Sequence, residues 1–235
     1  MTSKATENKR YGWSLRAGQV DYQLSLEWQH GLVKMRREGL ARDTIIFLEH
    51  PPVITVGKDG HKENYDGLTV TPHFIERGGD VTYHGPGQLI VYFIFNLTRR
   101  GRDLHLFMEN IQDGIIQTLA EYGIEARKDS ENTGVWVGEK KIASIGIAVK
   151  QWISFHGAAI NINTNLREFM QINPCGLNSE VMTSVRELSG KEEDTDKFTA
   201  VLLDKYTEIF ETTFTPVLLE SLAEELESQA GGNVI

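Results

Sequence analysis

One stretch limits the possible folds of this chain more than any other, a glycine-rich loop that runs directly into an uninterrupted apolar segment. The loop reads RGGDVTYHGPGQ over residues 77–88, and four of these residues are glycines. QLIVYFIFNL, residues 88–97, lacks the alternation of polar and apolar residues that marks a half-exposed strand. A continuously apolar strand is typical of a sheet covered on both faces. Further elements must therefore pack on either side of it.

Shorter patterns around this segment predict more strands. TIIFLEH and PVITVG have strand composition and are separated by Pro51 and Pro52, which interrupt regular structure. GVWVGEKKIASIGIAV reads as a hairpin that turns at Gly138 and Glu139, and WISFHGAAINI over residues 152–162 provides further strand. Strands therefore dominate the middle of the chain.

Helical spacing is found on both sides of these strands. Residues 20–39 form an amphipathic pattern whose apolar positions begin at Leu24. A second pattern has a capping residue, Asp103, and a stop signal at Gly123. The last quarter of the chain is also helical in pattern, with Pro216 suited to the first turn of the last helix.

These elements predict an α/β (α+β) fold, a mixed β-sheet flanked by helices. The length suits one domain over residues 1–235, with a core from about residue 38 to about residue 218. The terminal segments 1–10 and 230–235 are expected to be flexible.

Composition excludes several functional classes. The N-terminal residues are polar, and the longest apolar run, residues 89–95, is too short to cross a bilayer, so we expect a cytoplasmic protein with no membrane contact. A single cysteine forms neither a disulfide framework nor a Cys-based metal cluster, so no metal is expected. The net charge of −9 argues against a nucleic-acid partner.

The acidic excess lies from Glu180 onward, so the rest of the chain is neutral overall. It can present a basic patch to an acidic partner, although solvated surface charge is the more common explanation for any one of these residues. The candidate basic residues are Lys34, Arg36, Arg37, Arg99, Arg100 and Arg102.

The glycine loop is also a candidate binding site. Glycines permit positive φ and close approach of a ligand to the backbone, and successive N–H groups can bind an oxygen. No Gly-Lys-Ser/Thr follows, which excludes a P-loop, and the loop leads into a strand rather than a helix, which excludes a dinucleotide fingerprint. Arg77 can hold an anionic group. A tight structural turn is the alternative.

The one cysteine, Cys175 in INPCGL, is either a small core residue or a nucleophile. A nucleophilic thiol needs a partner that removes its proton, and His84, His156 or a lysine can do so. Strand alternation places Lys141 in phase with the apolar residues from Ala143 onward, where desolvation lowers the pKa of an amine. Lys141 is therefore a better candidate than Lys140, unless both are exposed turn residues.

Together these segments resemble the lipoyl(octanoyl) transferase family. The motifs that carry the resemblance are RGGDVTYHGPGQLIVY, GVWVGEKKIASIG, SFHGAAINI and INPCG, in the order found in the family. FLEHPPVITVGK, which precedes them, also fits the family, and Asp80 occupies a variable place in the loop.

The resemblance implies the fold of the biotin and lipoate protein ligase catalytic modules. It implies transfer of an octanoyl group from octanoyl-acyl carrier protein to a lysine of lipoyl domains, with Cys175 as an acyl-thioester and Lys141 as its partner, without a cofactor. The acceptors would be the lipoyl domains of 2-oxoacid dehydrogenases and the glycine cleavage H protein, and the enzyme would be a monomer. The implied substrate-binding residues are Arg77, Gly78, Gly79, Asp80, Val81, Thr82, Tyr83, His84, Ser144, Ile145, Gly146, Gly157, Ala158 and Ala159.

Three other functions share parts of this pattern. An ATP-dependent lipoate or biotin protein ligase has the same fold but needs no cysteine. An acyltransferase that moves octanoyl between two lipoyl domains differs in its donor. A binding module that uses the glycine loop forms no covalent adduct.

Overall fold

The computed structural model describes residues 10–68, 70–129, 132–173 and 179–222. The strands are β1 (Arg10–Gln19), β2 (Asp43–Glu49), β3 (Val53–Val56), β4 (His73–Phe74), β5 (Val81–His84), β6 (Gln88–Ile94), β7 (Arg127–Lys128), β8 (Gly134–Val137), β9 (Lys140–Lys150), β10 (Ile153–Asn161) and β11 (Thr212–Pro216). The helices are α1 (Tyr22–Glu38), α2 (Leu104–Glu121), α3 (Val185–Ser189) and α4 (Thr195–Ile209), and residues 219–222 are also helical.

Eight strands form one mixed sheet in the order β11-β1-β2-β6-β10-β9-β8-β7. β1 runs parallel to both of its neighbours, whereas β2, β6, β10, β9 and β8 pair antiparallel in succession. The hairpin predicted around Gly138 is the β8–β9 connection. The predicted mixed sheet is confirmed.

The apolar strand β6 lies inside this sheet and is buried along its whole length. On one face, Phe93 packs in a core that includes Ile111 of α2, which we call the α2-side core. On the other face, Ile94 packs in a core that includes Leu32 of α1, which we call the α1-side core. Helices therefore cover both faces, as the unbroken apolar segment predicts.

The predicted start and stop of α2 are confirmed, whereas the predictions for the apolar face of α1 and for Pro216 are not. Asp103 accepts a hydrogen bond from the Leu106 backbone N–H at 2.9 Å, and the helix ends before Gly123, whose φ is +71°. In α1, by contrast, Leu24 is 44% exposed, because the buried face is built around Leu32. Pro216 ends β11 instead of beginning a helix.

A second, three-stranded sheet of order β4-β3-β5 carries the glycine loop. The Lys58 N–H donates to the Arg77 carbonyl at 3.0 Å, which ties the loop to the segment after β3. The Gly78 N–H donates to the Ile147 carbonyl at 3.2 Å, which ties the loop to β9 of the large sheet. The small sheet is thereby fixed against the large one, and the candidate site lies between them.

Two of the six predicted patch residues are structural. The guanidinium groups of Arg36 and Arg100 both bond to the Asp43 carboxylate, at 2.7 and 3.0 Å, and all three side chains are about nine-tenths buried. Burial of these two charges with a partner removes them from a docking surface.

No helix in the described part of the chain is long and apolar enough to cross a bilayer. Residues 1–9 and 230–235 of the predicted flexible termini lie outside the described residues, whereas Arg10 begins β1.

Candidate active site

A cleft of about 520 Å³, counting space open to solvent, lies between the glycine loop with β5 and the strands β6, β9 and β10. It brings together most of the predicted site residues, although they are far apart in sequence. Those that line the cleft are Arg77, Gly79, Thr82, His84, Lys141, Ser144, Ile145, Gly146, Gly157, Ala158 and Ala159.

Strand alternation separates the predicted residues of β5 into two groups. Thr82 and His84 face the cleft. Val81 and Tyr83 point to the opposite side, into a third core, where the Tyr83 ring lies 5.5 Å from that of Phe169. Val81 and Tyr83 therefore pack in this third core and do not line the cleft.

Asp80 and Gly78 shape the loop rather than line the cleft. The buried Asp80 carboxylate accepts hydrogen bonds from the N–H groups of Val81, at 2.7 Å, and His61, at 3.1 Å, and from the Asn64 amide. All of these partners belong to the protein, so Asp80 holds the loop to the segment after β3. Gly78 joins the loop to β9 through its backbone N–H.

Arg77 lies at the cleft with its guanidinium held by the protein. It donates to the carbonyl and hydroxyl oxygens of Thr55, each at 3.0 Å, and to the Gly78 carbonyl at 3.1 Å. A Cβ on Gly146 would lie 3.0 Å from Arg77 Cδ, so the absence of a side chain there makes room for the arginine. Arg77 therefore brings a fixed positive charge to the cleft wall.

Lys141 is 3% exposed, whereas Lys140 is exposed and forms an ion pair with Glu187 at 3.4 Å. The predicted difference in burial between the two lysines is confirmed, but it arises from a cause other than the predicted one.

Simple alternation would put Lys141 on the face of Ala143. Instead, Lys141 and Ala143 pair with consecutive residues of β8, which makes Ile142 an extra residue in β9. Ile142 and Ala143 both pack in the α2-side core, whereas Lys141 lines the cleft with Ser144. The bulge, which the spacing of residues did not reveal, turns the lysine toward the cleft.

Cys175 lies in the segment 174–178, outside the described residues. The residues on either side of that segment approach the loop and the lysine. The Asn173 N–H donates to the Asn64 carbonyl at 2.8 Å, and Met182 bridges to Lys141 as a parallel partner. The Thr183 N–H donates to the Lys141 carbonyl at 2.9 Å.

The opposite end of the cleft contains buried polar rings, and we call Tyr22, His84, Tyr92 and His156 the polar end. Burial lowers the pKa of His84 and of His156 to about 3, so both rings are neutral at physiological pH. Burial also raises the pKa of both tyrosines. The polar end is therefore uncharged.

His156 has an unusual backbone for a strand residue, with φ at +60°. Its Nε2 and the Tyr22 hydroxyl have no hydrogen-bond partner among the described residues. Tyr92, by contrast, shares a 2.7 Å hydrogen bond with His50 Nε2. Strained backbone and unpartnered buried polar atoms are both typical of binding sites.

Sequence reasoning missed Tyr22, Ile90 and Tyr92 as site residues, and it treated His156 only as a possible partner of the thiol. Tyr92 carried a usable signal, since a tyrosine inside an apolar strand needs a polar neighbour. Tyr22 carried none, because its distance from the loop in sequence hides their contact.

Gly157 serves strand packing as well as the cleft. A Cβ there would lie 1.8 Å from the Val91 carbonyl of β6, so no larger residue fits without separating the strands. Ala158 and Ala159 continue the wall next to it. The site thus offers one amine, hydroxyl groups and a narrow, mostly apolar space. Within the described ranges, no three His, Cys, Asp or Glu side chains converge as metal ligands would.

Comparison with known families gives one consistent answer. Residues 21–207 match the family described as the lipoyl protein ligase A/B catalytic domain. The chain is 40% identical over 224 residues to an octanoyltransferase of Thermoanaerobacter sp., covering 91% of this chain and 96% of that protein. It is 45% identical over 185 residues to an octanoyltransferase of Caldicellulosiruptor bescii, covering 74% and 80%.

Solved structures with the same fold are more distant in sequence. A lipoate-protein ligase A bound with ATP superimposes with a TM-score of 0.74 at 18% identity, covering 93% of this chain and 95% of that one. The apo biotin protein ligase of Aquifex aeolicus gives a TM-score of 0.51 at 14% identity, covering 93% and 74%. At these identities the likeness concerns the fold, and the predicted ligase-like fold is confirmed.

Proposed function

The chain belongs to the octanoyltransferase family and is an acyltransferase of protein lipoylation, and on this premise we propose that Cys175 carries the octanoyl group as a thioester while Lys141 moves the protons. The family assignment covers the overall reaction, which moves an acyl group from a donor to a lipoyl domain. The roles of these two residues, the specific donor and the specific acceptors form the proposal.

The observation that carries the proposal is the position of Lys141. Its side chain is buried at one end of the cleft, and its backbone is bonded to Met182 and Thr183, which follow the segment of Cys175 in the chain. Asn173, two residues before Cys175, is bonded to the segment after β3. Cys175 lies between these two anchored residues in the sequence, and we propose Lys141 as the general base for its thiol.

In the first step, the amine of Lys141 takes the proton of the Cys175 thiol. The thiolate attacks the carbonyl carbon of the donor thioester, and the tetrahedral intermediate expels the donor thiolate. That thiolate takes back the proton from Lys141. One thioester replaces another, so the step is close to balanced in free energy and needs no ATP.

In the second step, the acceptor lysine must lose a proton before it can attack, since its pKa in solution is about 10.4. The neutral amine of Lys141 accepts that proton, and the acceptor nitrogen attacks the octanoyl carbonyl carbon. The tetrahedral intermediate then loses a second proton from this nitrogen and expels Cys175 as a thiolate, which gives the amide. Of the two protons that the acceptor nitrogen releases, one returns to the Cys175 thiolate through Lys141 and the other passes to solvent. The two groups titrate as a pair rather than independently.

Small residues in the wall of the cleft leave space for the octanoyl chain. Gly146, Ala158 and Ala159 leave space between the glycine loop and the large sheet. Burial of an acyl chain contributes about 0.8 kcal/mol per methylene. Backbone N–H groups of the glycine loop or of residues 144–146 are candidates to stabilise the oxyanion, and loss of one such donor costs about 3 kcal/mol of barrier.

We assign octanoyl-acyl carrier protein as the donor. The assigned acceptors are the lipoyl domains of 2-oxoacid dehydrogenases and the glycine cleavage H protein. We further propose that Arg77, Gly79, Thr82, His84, Ser144 and Ile145 contact the substrate, and that the enzyme acts in the cytoplasm as a monomer. The family resemblance supports the assigned donor and acceptors, and the lining of the cleft supports the assigned substrate contacts.

The direct test is the intact mass of the protein after mixing with octanoyl-acyl carrier protein in the absence of ATP. We expect an added octanoyl group that hydroxylamine removes and that Cys175→Ser abolishes. A product that forms on the lipoyl domain only when ATP is present, with Cys175→Ser fully active, would instead identify a ligase. An unmodified mass during turnover would overturn the thioester.

A further inference from the structure

We infer that Gly134 is a positioning residue for Lys141, because the space that its missing side chain leaves is filled by the lysine side chain. This inference rests on the proposed role of Lys141. Gly134 is the first residue of β8 and pairs with Ser144 of β9. A Cβ built on it would lie 2.5 Å from Lys141 Cε and 3.3 Å from Lys141 Nζ. Any side chain at residue 134 would therefore displace the end of the lysine.

The backbone at Gly134 reinforces this requirement. Its φ is +148°, a conformation that residues with side chains rarely adopt, and the same Cβ would lie 2.5 Å from the Ala143 carbonyl oxygen. The lysine can move, but the carbonyl belongs to the β9 backbone at the bulge. A glycine at residue 134 thus leaves room for both the bulge in β9 and the buried side chain of Lys141.

Two neighbouring side chains, those of Gln112 and Trp136, contact Gly134 and Lys141 and fix their positions. The side-chain amide of Gln112, from α2, donates to the Gly134 carbonyl at 2.9 Å in a buried hydrogen bond. Trp136 pairs with Lys141, and the ring centroid lies 5.6 Å from Nζ. The Trp136 indole N–H donates to the Asn132 carbonyl at 2.9 Å, which orients the ring. Lys141 Nζ therefore has defined surroundings.

Other glycines of the fold show that this arrangement is not ordinary core packing. At Gly114 an added Cβ would meet the Tyr206 ring, and at Gly157 it would meet the Val91 backbone. At Gly138, where φ is +56°, it would meet nothing within 4 Å. Gly138 shares with Gly134 a positive φ and the same hairpin, but it has no contact with the lysine, so it serves as the matched control.

The test is a double-mutant cycle measured on the rate of octanoyl transfer to Cys175, with Gly134→Ala, Lys141→Ala and the combination. A misplacement of a reacting group by about 1 Å can slow a reaction by about 100-fold, and we expect a loss of that order for Gly134→Ala. In the Lys141→Ala background, Gly134→Ala should cause no further loss. Gly138→Ala should keep the parent rate.

A role through Lys141 also predicts a change that loss of stability alone does not produce. In Gly134→Ala, the pH dependence of Cys175 alkylation should move toward that of Lys141→Ala. Multiplicative losses in the double variant, with an unchanged pH profile, would overturn the inference. A Lys141→Ala variant as fast as the parent would instead overturn the proposed function, so the two failures are distinguishable.

If Gly134→Ala does not fold, Gln112→Met serves in the same cycle. Methionine has a similar length but cannot donate to the Gly134 carbonyl. We expect Gln112→Met to slow the transfer when Lys141 is present and to have no effect on the rate in the Lys141→Ala background. An equal loss in both backgrounds would contradict the positioning role.

Discussion

Both ends of the cleft contain buried polar side chains, but the surroundings of these side chains differ between the two ends. At one end the Lys141 amine is buried beside Gly134 and Trp136, in surroundings that fix its position. At the polar end, His156 and Tyr22 are equally buried, but each carries a polar atom without a hydrogen-bond partner among the described residues. At the lysine end protein neighbours surround the polar atom, whereas the polar end leaves two buried polar atoms without a hydrogen bond from the described residues.

We therefore expect the two ends of the cleft to have different roles. Burial disfavours the charged form of an imidazole, so His84 and His156 at the polar end are neutral. At the lysine end, the proposed function assigns Lys141 the role of accepting a proton. At the polar end, burial lowers the pKa of His156 to about 3, so this ring is a poor base near neutral pH.

The largest expected effect concerns the lysine end. Lys141→Ala should slow octanoyl transfer to Cys175 by about 100-fold to 10,000-fold, the usual range for loss of a general acid–base residue. Lys140→Ala should stay within about twofold of the parent, because an exposed ion pair such as Lys140–Glu187 contributes little. Single-turnover kinetics measure both variants, and equal effects would abolish the distinction between the lysines.

The next effect concerns stability at the polar end. The unfolded chain protonates each histidine near pH 6.5, whereas His84 and His156 in the folded protein protonate only near pH 3. Between these pH values the unfolded state binds more protons than the folded state does. The free energy of unfolding therefore decreases as pH falls below 6.5. At pH 5.5 the loss is about 1 kcal/mol for each of them.

Urea unfolding at several pH values measures this loss. His84→Gln and His156→Gln should each flatten the decline of the unfolding free energy below pH 6.5, since they remove one of the groups responsible. His105→Gln, at an exposed histidine of α2, should leave the decline unchanged. A decline that is the same in all three variants would show that the polar end does not hold neutral histidines.

The smallest effect tests whether the polar end is incomplete. Tyr22→Phe removes a buried hydroxyl that has no partner among the described residues, and should raise the unfolding free energy of the ligand-free protein by about 1 kcal/mol. Tyr206→Phe removes a hydroxyl that donates to the Ile111 carbonyl at 3.1 Å, and should lower it by a similar amount. Denaturant titration compares the two, and destabilisation by both would mean that the Tyr22 hydroxyl is already satisfied.

Local patterns in the sequence predicted much of the fold and part of the site. The unbroken apolar run over β6 implied layers on both faces, and the capping residue Asp103 defined the start of α2. Alternation would have separated Thr82 and His84 from Val81 and Tyr83 if residues 81–84, within the loop, had been recognised as a strand.

What the sequence did not predict depends on long-range contacts. The bulge at Ile142 arises from the pairing of β9 with β8, and no spacing within β9 reveals it. Tyr22 reaches the cleft only because α1 packs on the large sheet. The resemblance to a family identified the loop motif as a unit, which is why it included Asp80 although that side chain holds the loop together.

The most direct test of the central claim is the rate of alkylation of Cys175 by iodoacetamide as a function of pH. Cys175 is the only cysteine of the sequence, so the reaction reports one thiol. If Lys141 takes its proton, the alkylation rate of the parent and of Lys140→Ala will rise at a pH well below the usual thiol pKa of about 8.5, and Lys141→Ala will shift the rise back to about 8.5. Identical curves for the parent and Lys141→Ala would contradict the account.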